Sequence, residues 1–514
     1  MYSSVTTVIL HGMESIKVQV EADVSDGMPL FEMVGFLAFE VKEAKERVRT
    51  ALRNCGYKLP AKRITINLSP AGLKKSGSGF DLPIAISVLS SIGVICNEAF
   101  QNTVIIGEVS LDGSVLPVKG ILPVVAWAKE QGFQRCIIPS ENYTEASLVK
   151  DIEIWPVSHL SLAIDCLRKN ECTDSIKNQK QDLPIKKETN TLDFSDIYGQ
   201  ILLKRACEVA VSGMHNILMI GPPGAGKTMS AKRIPTILPL LDEEEKMELT
   251  KIYSISGRIS DLKQLWGERP FRSPHHTITP QGLTGGGVNP KPGEISLSHK
   301  GILFLDEIAE FDKSTLETLR QPMEERSVTI VRLSGTYQFP ADFMLVAAMN
   351  PCACGYYPNR NKCRCTPHMM KQYMARISQP LLDRIDMCVE TPKLEYEDLT
   401  NIKMEEKSKI IRERVQRAHD IQKKRFYGTK IRFNSRMTVE AIKEYCSLNE
   451  EMDLYMKGIY KKLNLTARSY HKILKVARTI ADLESNPDIQ MKHLAEAVFY
   501  RSVDRKFWEL DDEI

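Results

Sequence analysis

The sequence predicts a multidomain α/β protein: an α/β N-terminal domain, a parallel-sheet core around a phosphate-binding loop, and a helical C-terminal region. Three observations carry that prediction. The octapeptide Gly221-Pro222-Pro223-Gly224-Ala225-Gly226-Lys227-Thr228 directly follows the apolar run Asn216 to Ile220, so a strand delivers a glycine-rich turn. Apolar runs around Ile217, Leu303 and Leu345 alternate with helical stretches, as in a parallel sheet. From about residue 403 the apolar spacing is helical almost to the end, broken by a turn at Asp482 to Asp488 that contains Pro487.

The clearest seam is the polar stretch 170–192, rich in Lys, Gln, Asp, Asn and Thr, which cannot bury much surface and reads as a linker. It divides an α/β domain at 1–169 from the nucleotide-binding core at 193–396, with the helical region at 397–514. In the first domain, strand-like Val104 to Ile106 and Cys136 to Ile138 mix with helical Val41 to Cys55, Leu82 to Leu89 and Val124 to Glu130. No apolar stretch reaches the ~18 residues of a membrane span, and the N-terminus lacks the basic and apolar segments of an export signal. Twelve cysteines over 514 residues do not form a secreted disulfide framework, so a cytoplasmic location is expected. A net charge of +4 is too small to argue nucleic-acid binding by itself.

The octapeptide sets the chemistry. Glycines let backbone N–H groups approach the α and β phosphates of ATP, Lys227 meets the β and γ oxygens, and the Thr228 hydroxyl coordinates Mg²⁺. Gly301 to Leu305 is an apolar strand ending in Asp306 and Glu307. Asp306 is placed for the Mg²⁺ shell and Glu307 for the attacking water. A further strand, Phe343 to Met349, ends at Asn350, whose amide could hold the same water.

This ordered set resembles the AAA+ ATPases. By that resemblance Asp196-Ile197-Tyr198-Gly199-Gln200 approaches the adenine pocket, with Ile197 lining it, and Asn350 occupies the sensor-1 position. Leu381-Leu382-Asp383-Arg384-Ile385-Asp386 resembles the segment carrying the arginine finger. Arg384 is then the group that reaches a neighbour's γ-phosphate; a salt bridge to Asp383 or Asp386 is its alternative. Leu465-Thr466-Ala467-Arg468 resembles the sensor-2 segment, with an exposed helical arginine as the alternative for Arg468. Arg269-Pro270-Phe271-Arg272-Ser273-Pro274-His275-His276, the run Gly285-Gly286-Gly287, Asn350-Pro351-Cys352 and Ala467-Arg468-Ser469-Tyr470 narrow the resemblance to the ComM/YifB family of magnesium-chelatase-like ATPases, over essentially the full chain. That resemblance implies a hexameric ring and DNA branch migration, integrating single strands during natural transformation, in company with recombination proteins.

Cys352, Cys354, Cys363 and Cys365 form two close pairs across a turn, a spacing that can place four thiolates around a structural Zn²⁺. His368 could replace one of them, and a reducible thiol cluster or unliganded cysteines are the alternatives. The N-terminal domain resembles the proteolytic domain of Lon-type proteases and the C-terminal domain of the RadA recombination protein, through Lys75 to Pro83, Ile106 to Val109 and Val115 to Val118. A Ser–Lys peptidase needs a serine within reach of an activated lysine. Gly77 falls at the nucleophile position, beside Ser78, and Leu122, Pro123 and Val124 fill the lysine region, so a fold without peptidase activity is expected. Lys74, Lys75 and Arg63 are then DNA or partner contacts, or solvated surface.

Two basic regions bear on DNA. From Asn401 to Arg436 there are 12 Lys and Arg against 4 Asp and Glu, a phosphate-neutralising stretch or a solvated helix face. Residues 256–300 hold Arg258, Lys263, Arg269, Arg272, His275, His276 and Lys291, consistent with DNA-tracking loops; adjacent histidines are poor joint metal ligands. Three functions follow: a ring-shaped DNA motor, a chelatase-type motor subunit for metal insertion, and an ATP-dependent peptidase. The N-terminal domain is expected to disfavour the second, and the missing lysine the third.

Overall fold

The computed structural model describes residues 2–171, 192–259, 269–333, 335–359, 361–393 and 405–508. The expected linker at 170–192 lies almost wholly outside them, as do Lys263 and the expected boundary at 396/397.

The N-terminal domain is built on a seven-stranded mixed sheet in the order Leu30–Val34, Arg63–Ser69, Glu14–Ser25, Tyr2–His11, Thr103–Ile105, Arg135–Pro139, Glu153–Val157. Helix Phe39–Asn54 buries Val41, Ala44, Val48 and Ala51, a helical spacing that puts one stripe against the core. Helix Asp81–Ser91 is buried at every position. Its one charged residue, Asp81, is held by Arg47 at 2.8 Å, the pairing a buried carboxylate requires.

The second sheet has five strands, ordered Phe271–Arg272, Ile302–Leu305, Met344–Met349, Ile217–Ile220, Met387–Glu390, and every pairing is parallel. The three strands read from sequence are its middle, and each is buried throughout. A parallel sheet covered on both faces needs such continuous apolar runs. One face shares a core with the C-terminal helices, where Ile217 and Val346 pack in the same cluster as Leu474 and Ile480. Those helices include Ser408–Arg425, Ala467–Leu483 and Met491–Trp508, the last two flanking the expected turn. Among the described residues no helix is long and apolar enough to cross a membrane.

The N-terminal domain sits against the nucleotide-binding core. Gly120 N–H donates to the Ser254 carbonyl at 3.2 Å, Ser254 Oγ donates to the buried Glu145, and the His11 and Tyr337 rings stack with centroids 4.0 Å apart.

Candidate nucleotide site

In an open parallel sheet the ligand crevice lies beyond the carboxyl ends of the strands. Ile220, Leu305 and Met349 end at that edge, and there the chain places the phosphate-binding loop, the two acids and the polar amide. Gly221 has no room for a side chain, because a Cβ would lie 2.1 Å from the Thr391 carbonyl oxygen. Gly224 and Gly226 turn the loop with φ of 77° and 86°, values that only glycine adopts freely.

Lys227 is 9% exposed. Its Nζ donates to the carbonyls of Gly221 at 2.5 Å and Pro222 at 2.9 Å, and to Asn350 Oδ1 at 3.2 Å. Burial lowers its pKa to about 8, against the opposing pull of Asp306 and Glu307. Thr228 Oγ1 donates to Asp306 Oδ2 at 2.7 Å, which brings together two hard oxygen ligands of the kind Mg²⁺ takes. Glu307 is exposed and follows in the left-handed region at φ 50°. The structure thus brings Lys227, Thr228, Asp306, Glu307 and Asn350 to one edge.

Ile197 is buried in the core at 4% exposure, while its neighbour Tyr198 is 42% exposed. The segment is fastened to the loop by Gln200, whose Nε2 donates to the Ala225 carbonyl at 3.1 Å and the Pro392 carbonyl at 2.7 Å. Sequence reasoning assigned Gln200 no bond of its own, since both acceptors are backbone atoms.

Arg384 and Arg468 lie elsewhere. Asn216, immediately before the strand Ile217–Ile220, donates to the Arg384 carbonyl at 3.0 Å. Four strand residues at ~3.3 Å each separate that end from the phosphate loop. The partner of Arg384 is neither Asp383 nor Asp386 but Glu324, at 2.8 Å, and Arg468 binds the same Glu324 oxygen. Asp386 is committed to the Asn216 backbone, His215 and Lys472. Both arginines line a cleft of about 820 Å³ with Arg326, Lys472 and Lys475. No motif pointed to Glu324.

The four cysteine sulfurs lie within 4.8 Å of one another, and Cys352 Sγ is 3.4 Å from Cys354 Sγ and 3.7 Å from Cys363 Sγ. Four thiolates around one Zn²⁺ at ~2.3 Å require edges of this length, so the residues fit the metal. His368 is exposed and stands outside the group. The insertion touches the nucleotide site, because a Cβ on Gly355 would meet Pro223 Cδ at 2.7 Å and Asn350 Cγ at 3.8 Å.

Several expected contacts are internal instead. Arg269 is buried and paired with Glu245 at 2.8 Å, and Arg258 and Arg272 share Glu294. In the basic stretch, Arg414 pairs with Glu208 and Glu406, Arg425 with Asp482, Arg432 with Asp242 and Glu244, and Arg436 with Asp342. Lys75 is buried and donates to the Pro70 carbonyl, so it is no surface contact, and Arg63 pairs with Glu32. The His275 and His276 rings lie tilted against each other with centroids 4.0 Å apart. In the N-terminal domain Ser78 donates to Glu108, and Leu122, Pro123 and Val124 are buried.

A loop with its lysine, a strand-borne acid pair and a polar amide on a neighbouring parallel strand define the class: a magnesium-chelatase-like AAA+ protein. Family models agree. One described as magnesium chelatase, subunit ChlI, matches residues 193–399, and one described as its C-terminal part matches 405–501. A third, subunit ChlI of Mg-chelatase, matches 20–142, so the N-terminal domain does not by itself set this chain apart from chelatase-type proteins, contrary to expectation. Competence protein ComM of Haemophilus influenzae is 40% identical over 506 residues, covering 98% of this chain and 97% of that protein. The YifB protein of Escherichia coli is 38% identical over 501 residues, 96% of each chain. Lon protease 2 of Bacillus subtilis is 35% identical over 113 residues, 22% of this chain and 19% of that protein. The chain belongs to the ComM/YifB family.

Proposed function

We propose that this chain is an ATP-driven, ring-forming motor acting on DNA: a branch-migration helicase that supports recombination of incoming DNA in natural transformation. The full-length similarity to a protein named for competence carries the biological half of this reading. The separation of Arg384 from Lys227 along one strand carries the mechanical half, because a subunit so built completes its site only with a neighbour's arginine.

In this reading the loop 221–228 cradles the phosphates and Ile197 borders the adenine. Thr228 and Asp306 hold Mg²⁺, which when bound neutralises the β and γ oxygens. Glu307 polarises the attacking water, Asn350 orients it, and Arg384 and Arg468 meet the γ-phosphate of the adjoining subunit in a hexamer. Zn²⁺ held by Cys352, Cys354, Cys363 and Cys365 stiffens the insertion beside Pro223. The N-terminal domain keeps its fold without peptidase chemistry, since Leu122 to Val124 pack where an activated lysine is needed. For DNA, Lys119 and Lys291 are the better contacts. They stand side by side, and the charge of Lys119 lowers the Lys291 pKa, a pair suited to a phosphate. The protein would work in the cytoplasm, with recombination proteins as partners.

The test is the ATPase rate of the full chain with single strands, duplexes and branched junctions, alongside its native mass. Stimulation by DNA together with a nucleotide-dependent hexamer is the expected result. Steady ATP hydrolysis indifferent to every DNA would turn the reading toward a chelatase-type motor.

A further inference from the structure

We infer that Glu324 is a stand-in for the neighbour's phosphate, a carboxylate that holds Arg384 and Arg468 until ATP in the adjoining subunit displaces it. The inference rests on the reading that Arg384 acts across the subunit boundary. One oxygen, Glu324 Oε1, takes both guanidinium groups, at 2.8 Å from Arg384 Nη2 and in a direct bond with Arg468 Nη2. A single carboxylate leaves the pair with an excess of positive charge, and the surroundings add to it. Arg384 Nε and Arg326 Nη1 are buried with no hydrogen-bond partner among the described residues, and although Lys472 is paired with Asp386, the eight Lys and Arg lining the cleft outnumber its five Asp and Glu. The cleft therefore favours a group with more charge and more acceptor oxygens than one carboxylate, which describes a terminal phosphate.

The strength of the pair suits exchange. Glu324 and Arg468 are 42% and 50% exposed, so solvent screens their attraction, whereas Arg384 is 12% exposed and stays in place. Glu324 also lies on the helix Arg320–Glu325, which follows the acid strand in sequence.

Glu324→Gln tests this, since the amide keeps the shape and removes the charge. The readout is the concentration of a slowly hydrolysed ATP analogue at half-maximal assembly of the full chain, by analytical ultracentrifugation. The midpoint should fall at least about threefold, the worth of a partly exposed ion pair, with an unchanged melting temperature. Glu324→Gln placed on Arg384→Ala should give no such fall. An unchanged or raised midpoint for Glu324→Gln, with Arg384→Ala inactive in hydrolysis, would overturn the role of Glu324 and leave the trans arginine standing. Full hydrolysis by Arg384→Ala would remove the reading beneath it, and the proposal with it.

Discussion

Lys227 Nζ donates to Asn350 Oδ1 at 3.2 Å while also satisfying the Gly221 and Pro222 carbonyls. The loop lysine and the amide on the next strand therefore hold each other, and in the proposed function ATP replaces those bonds. In the proposed mechanism the two ends of the site also separate by role. Lys227→Ala should abolish nucleotide binding, whereas Glu307→Gln should bind ATP and lose hydrolysis. Equilibrium binding of a fluorescent ATP analogue beside a phosphate-release assay checks both, and near-normal hydrolysis by Glu307→Gln would refute that assignment.

The same lysine predicts a pH dependence. Burial holds its pKa at about 8 in the free chain, and a phosphate beside it favours the charged form and raises that value. Binding assisted by this charge is then complete below the free pKa and weakens as pH climbs through and above about 8. Calorimetry in two buffers of different ionisation enthalpy should show net proton uptake on ATP binding near pH 8.5 and little near pH 6.5. Equal proton uptake at both values would remove Lys227 as the titrating group.

The local chemistry was legible and the long-range pairing was not. The loop at 221–228, the strand ending in Asp306 and the cysteine pairs each lie within about a dozen residues, so spacing alone carries them. Arg269 read as a DNA contact because its partner, Glu245, is 24 positions away and nothing local marks a buried pair. The arginines of 401–436 misled for the same reason, since charge counts cannot see which acids the fold brings to them, whereas Lys75 misled because nothing local marks it as buried on the Pro70 carbonyl. The place of Arg468, on Glu324 and away from the phosphate loop, was not legible, because it depends on how the C-terminal helices dock.

Arg269 and Glu245 offer a stability test. Their side chains are 2% and 3% exposed, and Arg269 also donates to the Pro239 and Lys300 carbonyls at 2.9 and 2.8 Å. Arg269→Ala leaves two buried carbonyls without their donor and Glu245 with only the Asp242 N–H and Arg432 at 3.6 Å, and should cost about 3 kcal/mol. Urea denaturation of the nucleotide-binding core measures it, and a loss within experimental error of zero would mean that the pair is solvated.

The cysteine cluster predicts one zinc per chain and a link to the nucleotide. Protein purified under reducing conditions without chelator should contain zinc by elemental analysis, and Cys363→Ser should lose it. Because Gly355 abuts Pro223 and Asn350, the metal-free insertion should also weaken ATP binding. Zinc-free wild-type protein would remove the metal, and unchanged ATP affinity in Cys363→Ser would remove the link.

The proposed ring is tested by dividing its site between two variants. Arg384 is fixed beside Asn216, at the strand end away from its own Lys227. In the proposed mechanism a subunit then holds Lys227, Asp306 and Glu307 yet lacks part of the charge that the transition state needs, and such fingers are worth ~10³–10⁵ in rate. Arg384→Ala should bind ATP but lose hydrolysis and branch migration. Lys227→Ala should lose both by the other route. Mixed rings contain some interfaces with an intact loop on one side and an intact Arg384 on the other. Partial ATPase recovery should therefore peak at intermediate ratios, read against native mass to show co-assembly. Zero recovery in demonstrated mixed rings would count against Arg384 acting on its neighbour's nucleotide. Full activity of Arg384→Ala alone would end the finger assignment.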